Sequence, residues 1–93
     1  MKNLFSLLSA IAAITLYYTP NCPYCHEVMD YLHSIHKTVP MTNLDGNDAG
    51  QKELQRIGGE VHVPCLVVDG KAYYGSDDAI GWLSKHQSQL SDE

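Results

Sequence analysis

Positive charge is scarce in this sequence. Six Lys and Arg stand against eleven Asp and Glu, for a formal net charge of −5 at pH 7. The basic residues are scattered, so no Lys/Arg run forms the patch that a nucleic-acid partner needs. Cysteine is also sparse, at three, an odd number. A small domain stapled by disulfides carries an even set spread along the chain. Here Cys22 and Cys25 lie close together, and Cys65 stands alone after Pro64. That pattern suits redox chemistry or metal binding better than a disulfide framework. At 93 residues the chain has room for one core and not for a second domain. Internal repeats and low-complexity stretches are absent. Hydrophobic residues make up 44% and charged residues 18%, an ordinary globular balance.

Residues 1–12 admit two readings. Met1-Lys2 followed by the uncharged run from Leu4 to Ile14 has the form of a targeting segment, with Ala10-Ile11-Ala12 as a small-residue cleavage site. It is too short to span a membrane, and no membrane partner is expected. The preferred reading is an extra N-terminal helix. Asn3, Ser6 and Ser9 make a polar stripe, and Leu4, Leu7, Leu8 and Ile11 face inward. A helix goes with a cytoplasmic protein, and a cleaved segment with an exported one. Residues 13–87 form the domain proper. Residues 88–93, with the acidic Ser91-Asp92-Glu93 ending, are expected to fray.

The pattern along the chain alternates strand and helix. Ala13 to Tyr18 reads as a buried strand ending at Thr19-Pro20-Asn21. From Pro23 the apolar residues Val28, Met29, Leu32 and Ile35, followed by His36, recur at helical spacing. Val39 to Leu44 reads as a second strand, and Pro40 inside it marks a sheet edge. Asp48 caps a short helix through Ile57, which stops at Gly58-Gly59. Cys65 to Val68 and Lys71 to Tyr74 form a hairpin about Asp69-Gly70. Ser76 caps a last helix carrying Ala79, Ile80, Trp82 and Leu83. The result is an α/β fold with a four-stranded mixed sheet flanked by helices.

Cys22 would sit just before a helix's first turn, facing unpaired backbone N–H groups and the positive end of the helix dipole. Both favour the thiolate, so its pKa is expected to be depressed. Cys25, one turn in, is expected to be covered and less acidic. Cys22 then attacks a disulfide, and Cys25 resolves it or leaves that step to another thiol. Zinc is the competing reading of a Cys-x-x-Cys pair. It needs two more ligands, and His26, His33, His36, His62 and His86 lack the spacing, so no metal is expected. A proline at 64 opening a strand suits a cis Val63-Pro64 bond that leaves the Val63 main chain open to an extended peptide. Gly75-Ser76-Asp77-Asp78 is a helix start suited to a carboxylate, with Asp77 able to hold an ammonium. Cys65 reads as a buried small strand residue.

Together, Cys22-Pro23-Tyr24-Cys25, Val63-Pro64 and Gly75-Ser76-Asp77-Asp78 resemble the glutaredoxin family of dithiol type, from about Thr15 to about Leu83. The resemblance implies a thioredoxin-like fold. It also implies a monomer that reduces glutathione mixed disulfides and protein disulfides. Glutathione is then co-substrate, and no resident cofactor is implied. Disulfide-bearing or glutathionylated proteins are the partners. Cys22 is then the nucleophile and Cys25 the resolving thiol. Tyr24, His62, Val63, Pro64, Ser76 and Asp77 line the glutathione site. Three positions depart from the family pattern: Thr19 for a Lys, His62 for a Thr, and Tyr74-Gly75 for a Gly-Gly pair. Arg56, Lys52 or His62 are alternative anchors for the glutathione carboxylate. The alternatives in function are an iron–sulfur cluster carrier and a redoxin driven by thioredoxin reductase.

Overall fold

The computed structural model describes residues 13–93, so both readings of residues 1–12 lie outside the described residues. Strand β1 (Ile14–Tyr18) is buried on both sides, which is why it reads as an unbroken apolar run. Ile14 and Leu16 turn to one face of the sheet and Tyr17 to the other. Helix α1 (Pro23–Ser34) follows, with Pro23 in the first turn, where its missing N–H costs nothing. Val28 and Leu32, one helical turn apart, carry its buried stripe. The helical spacing had extended to His36, but α1 stops at Ser34. Ile35 caps it, and His36 takes a left-handed φ of 57°, which an α-helix cannot continue.

The strand expected over Val39 to Leu44 is shorter than that range, and a second strand precedes it. β2 (Lys37–Thr38) and β3 (Met41–Asn43) are separate short strands with different partners. Pro40 lies between them and cannot donate to a ladder; its carbonyl instead accepts the Leu16 N–H at 2.9 Å. Helix α2 (Asp48–Gly58) is capped by Asn47, whose side chain accepts the Gly50 N–H at 2.9 Å, so Asp48 is its first residue rather than its cap. β4 (Cys65–Val68) and β5 (Lys71–Tyr74) form the expected hairpin. Asp69 and Gly70 have φ of 51° and 82°, the two positive values that a tight primed turn demands.

The four-stranded sheet has the order β3-β1-β4-β5. β1 and β3 run parallel, with Leu16 opposite Met41; the other pairs are antiparallel, with Tyr17 opposite Cys65. One face is covered by α1 and by α3 (Ser76–Lys85), where Leu16, Val28, Leu66 and Leu83 are fully buried. Each such side chain contributes about 1.5–3 kcal/mol. The other face meets α2, where Leu54 packs on Tyr17, Leu44, Cys65 and Val67. Cys65 thus faces away from α1, which fits a small buried strand residue.

The last residues, expected to be a loose tail, are paired with the domain in this structure. A short 3-10 helix (Gln87–Gln89) leads into β6 (Ser91–Asp92), which pairs antiparallel with β2. Leu90 is buried in the main core, and Lys37 Nζ donates to Asp92 at 2.6 Å. An acidic surface-like sequence is held here because the one apolar residue within it has a core to enter.

Candidate active site

Cys22 occupies the N-cap position of α1, with φ −102° and ψ 112°. Its side chain does what a Ser or Asp does at that position: Sγ accepts the Cys25 N–H at 3.1 Å. The first turn contains no acidic side chain to oppose negative charge there. His26 Nε2 donates to the Pro20 carbonyl at 2.7 Å and so braces the loop that delivers Cys22. In the thiol form, Cys22 Sγ also donates weakly to the Val63 carbonyl, 3.9 Å away.

The two sulfurs differ as their positions dictate. Cys22 is partly exposed, whereas Cys25 is fully buried. Burial pushes the Cys25 thiol up to about 12, and the Cys22 side chain beside it adds to the rise. Cys25 is therefore a protonated thiol at neutral pH. Cys65, across the sheet, is pushed up to about 11 by burial alone in the main.

The Val63-Pro64 peptide is cis. Among the described residues, the Val63 N–H takes no backbone partner. The Gly75 N–H donates to the Pro64 carbonyl at 2.9 Å, which ties the start of α3 to this loop. Gly75, not Ser76, is the N-cap, with φ 90° and ψ 159°, a conformation essentially confined to glycine. Ser76 is consequently the buried first residue of the helix rather than its cap.

These pieces enclose a groove of about 410 Å³. Tyr24, 60% exposed, borders it from α1, Val63 and Pro64 from the loop, and residues 74–78 from the β5–α3 junction. Of the residues singled out in the sequence, Tyr24, Val63, Pro64, Ser76 and Asp77 meet here; Cys22 is not in the lining but touches it through the Val63 carbonyl. His62 does not line the groove. Its Nε2 lies 3.3 Å from Glu60, and its ring stands edge-on to Tyr74 with centroids 6.5 Å apart. Lys52 and Arg56 are also elsewhere: Lys52 borders a separate concavity on α2, and Arg56 pairs with Glu53. Tyr74 and Asp78 border the groove without having been assigned to it; their adjacency to Gly75-Ser76-Asp77 was the available signal. Among the described residues, no cluster of three or more His, Cys, Asp or Glu has the geometry of a metal site. No helix among them is long and apolar enough to cross a membrane.

The comparisons with known proteins agree with this geometry. The glutaredoxin family model matches residues 14–73. Glutaredoxin 3 of Escherichia coli (strain K12) is 31% identical over 68 residues, covering 73% of this chain and 82% of that protein. An uncharacterized glutaredoxin-like 8.6 kDa protein in the rubredoxin operon of Clostridium pasteurianum is 27% identical over 66 residues, covering 71% and 88%. Among solved structures, a buckwheat glutaredoxin–glutathione complex superposes with a TM-score of 0.61 at 18% identity, over 95% of this chain and 84% of that one. The last likeness establishes the thioredoxin-like fold alone. With a helix-capping thiol beside a buried one, and with the family match over most of its length, the chain belongs to the glutaredoxin family of thiol–disulfide oxidoreductases.

Proposed function

We propose that glutathione is the reductant, and that the chain reduces glutathione mixed disulfides and protein disulfides through Cys22. The carrying observation is that Cys22 Sγ stands 3.9 Å from the carbonyl of Val63, a residue that lines the groove reaching the start of α3. Glutathione has the matching chemistry. Its γ-glutamyl carboxylate suits the first-turn N–H groups of α3, and its ammonium suits Asp77. Its extended main chain suits the unpaired Val63 N–H, as an added strand would. Tyr24 supplies an apolar wall.

In the first step the Cys22 thiolate attacks the glutathionyl sulfur of a mixed disulfide. A Cys22–glutathione bond forms, the substrate's S–S bond breaks, and the substrate leaves as a thiolate that takes a proton from water. A second glutathione thiolate then attacks the bound glutathionyl sulfur. Oxidised glutathione departs, and Cys22 returns as a thiolate. With a protein disulfide, Cys22 first forms a mixed disulfide with the protein. Cys25 then loses its proton, attacks the Cys22 sulfur and releases the second protein thiolate. Two glutathiones, oxidised to one glutathione disulfide, restore both thiols. The burial of Cys25 supports this division of labour, because a protonated thiol cannot make the first attack.

The test is turnover of a small mixed disulfide with glutathione, coupled to glutathione reductase. Cys22→Ser is expected to lose activity, and Cys25→Ser to retain it on glutathionylated substrates. Turnover that survives in Cys22→Ser refutes the assignment, and no turnover by the native chain refutes the use of glutathione.

A further inference from the structure

We infer that the concavity between β5 and α3 docks the polypeptide that carries the target disulfide, and that it takes an extended segment bearing carboxylates. The inference rests on the exchange proposed at Cys22. The concavity measures about 580 Å³ and continues from the glutathione groove, because Asp77 and Asp78 border both. Its lining is aromatic and half-exposed. Tyr73 and Trp82 stand 6.5 Å apart between centroids, tilted at 45°. His86 stacks on Trp82 at 4.1 Å, and its Nδ1–H donates to the Trp82 carbonyl at 2.8 Å. Pre-set rings of this kind lose little freedom when a partner covers them.

Charge gives the surface its preference. Among the described residues, Lys37 holds Asp92 and Arg56 holds Glu53, whereas Lys52, on α2, and Lys71 and Lys85 hold no carboxylate. Lys71 and Lys85 border this concavity, and Lys71 Nζ lies 5.2 Å from the centroid of the Tyr73 ring. The lining carries two lysines and two aspartates, and they are separated: Asp77 and Asp78 stand at the end shared with the glutathione groove, and Lys71 and Lys85 lie away from it. Position gives the surface its polarity. Lys85 lies seven residues along α3 from Asp78, about 10 Å at helical rise. Lys71 is at the far end of β5 from the Gly75 junction, again about 10 Å. Asp77 and Asp78 repel carboxylates at the near end. The partner's acidic residues therefore lie about three residues of extended chain beyond the point where it leaves the glutathione groove.

Gly81 leaves room for a close approach. It lies inside α3, where glycine weakens a helix, and it borders the concavity. A Cβ at Gly81 would meet nothing within 4 Å, so no contact within the described residues requires its absence. The open space there is available to an approaching main chain. β5 is also an edge strand of the sheet and can accept such a chain through its outer backbone groups.

The experiment compares glutathionylated peptides that share one cysteine and differ in a Glu-rich, Ser-rich or Lys-rich flank. Two readouts are taken: glutathione-dependent kcat/KM, and fluorescence of Trp82, the chain's one tryptophan. The Glu-rich peptide is expected to exceed the Lys-rich one by about tenfold in kcat/KM at low salt, converging at high salt. It alone should shift Trp82 emission. Lys71→Glu with Lys85→Glu should reverse the preference and leave a small mixed disulfide unaffected. Gly81→Leu should raise Tm, since the helix gains a better former, yet lower peptide kcat/KM. Equal kcat/KM for the three peptides, with no change in Trp82 emission, overturns the docking surface. If glutathione supports no turnover but the Glu-rich peptide still shifts Trp82 emission, the glutathione reading falls and the docking surface stands.

Discussion

Replacing Gly58 by alanine should destabilise this protein, against the usual sign of that change in a helix. Gly58 is the last residue of α2, and Tyr74 from β5 stands on it. A Cβ at Gly58 would overlap the Tyr74 hydroxyl, approach its Cζ to 2.8 Å and lie 3.0 Å from the Ala72 Cβ. The ring is not at liberty to step aside. Its hydroxyl donates to the Glu60 carbonyl at 2.7 Å, and its backbone is paired with Cys65 in the sheet. Helix propensity favours alanine by at most about 1 kcal/mol. Overpacking costs about 1–3 kcal/mol, and the lost hydrogen bond about 1 kcal/mol more. The net expectation is a loss of about 1–3 kcal/mol by urea unfolding. A double-mutant cycle with Tyr74→Ala isolates the cause, because Gly58→Ala should be neutral or stabilising once the ring is gone. Since Tyr74 also borders the groove proposed to hold glutathione, Gly58→Ala should raise the KM for glutathione as well. A Gly58→Ala protein that is more stable than the native one refutes the packing argument.

Alkaline pH should expose the buried thiols. The Cys65 thiol is raised from 9.0 to about 11, so its contribution is intact below pH 9 and is lost as pH rises through 11. About 3 kcal/mol of the native protein's advantage over Cys65→Ala should vanish across that window. Tyr17 and Tyr74 are raised too and act in the same direction, so the difference between the two proteins is the quantity to follow; a difference independent of pH rejects the burial argument. Leu90→Ala should cost about 2–4 kcal/mol, because Leu90 enters the main core. A cost near zero by denaturant titration would show that the last residues do not dock. Asp77→Ala should raise the KM for glutathione about tenfold, the equivalent of one charge-assisted bond, with Tm unchanged; an unchanged KM removes Asp77 from the ammonium site.

Much of this molecule is written locally. The hairpin follows from Asp69-Gly70, because two adjacent residues there must adopt positive φ and this pair tolerates it. The helix-capping sulfur follows from Cys22-Pro23, because a helix that starts at a proline leaves its N–H groups aimed at the residue before it. The strand around Pro40 was legible only as an edge; which flanking residues pair with β1 and which with β6 depends on chain segments about fifty residues away. The docked end was illegible for the same reason, since Leu90 in an acidic stretch looks solvated until a core pocket is found for it. His62, whose neighbours in sequence reach the groove, instead lies beside Glu60 and edge-on to Tyr74, a placement that local pattern does not encode. Hydrogen bonding and φ preferences between near neighbours carry turns, caps and the nucleophile. The shape of the groove, the burial of Cys25 and the company of each side chain come from packing between distant segments, which local pattern does not encode.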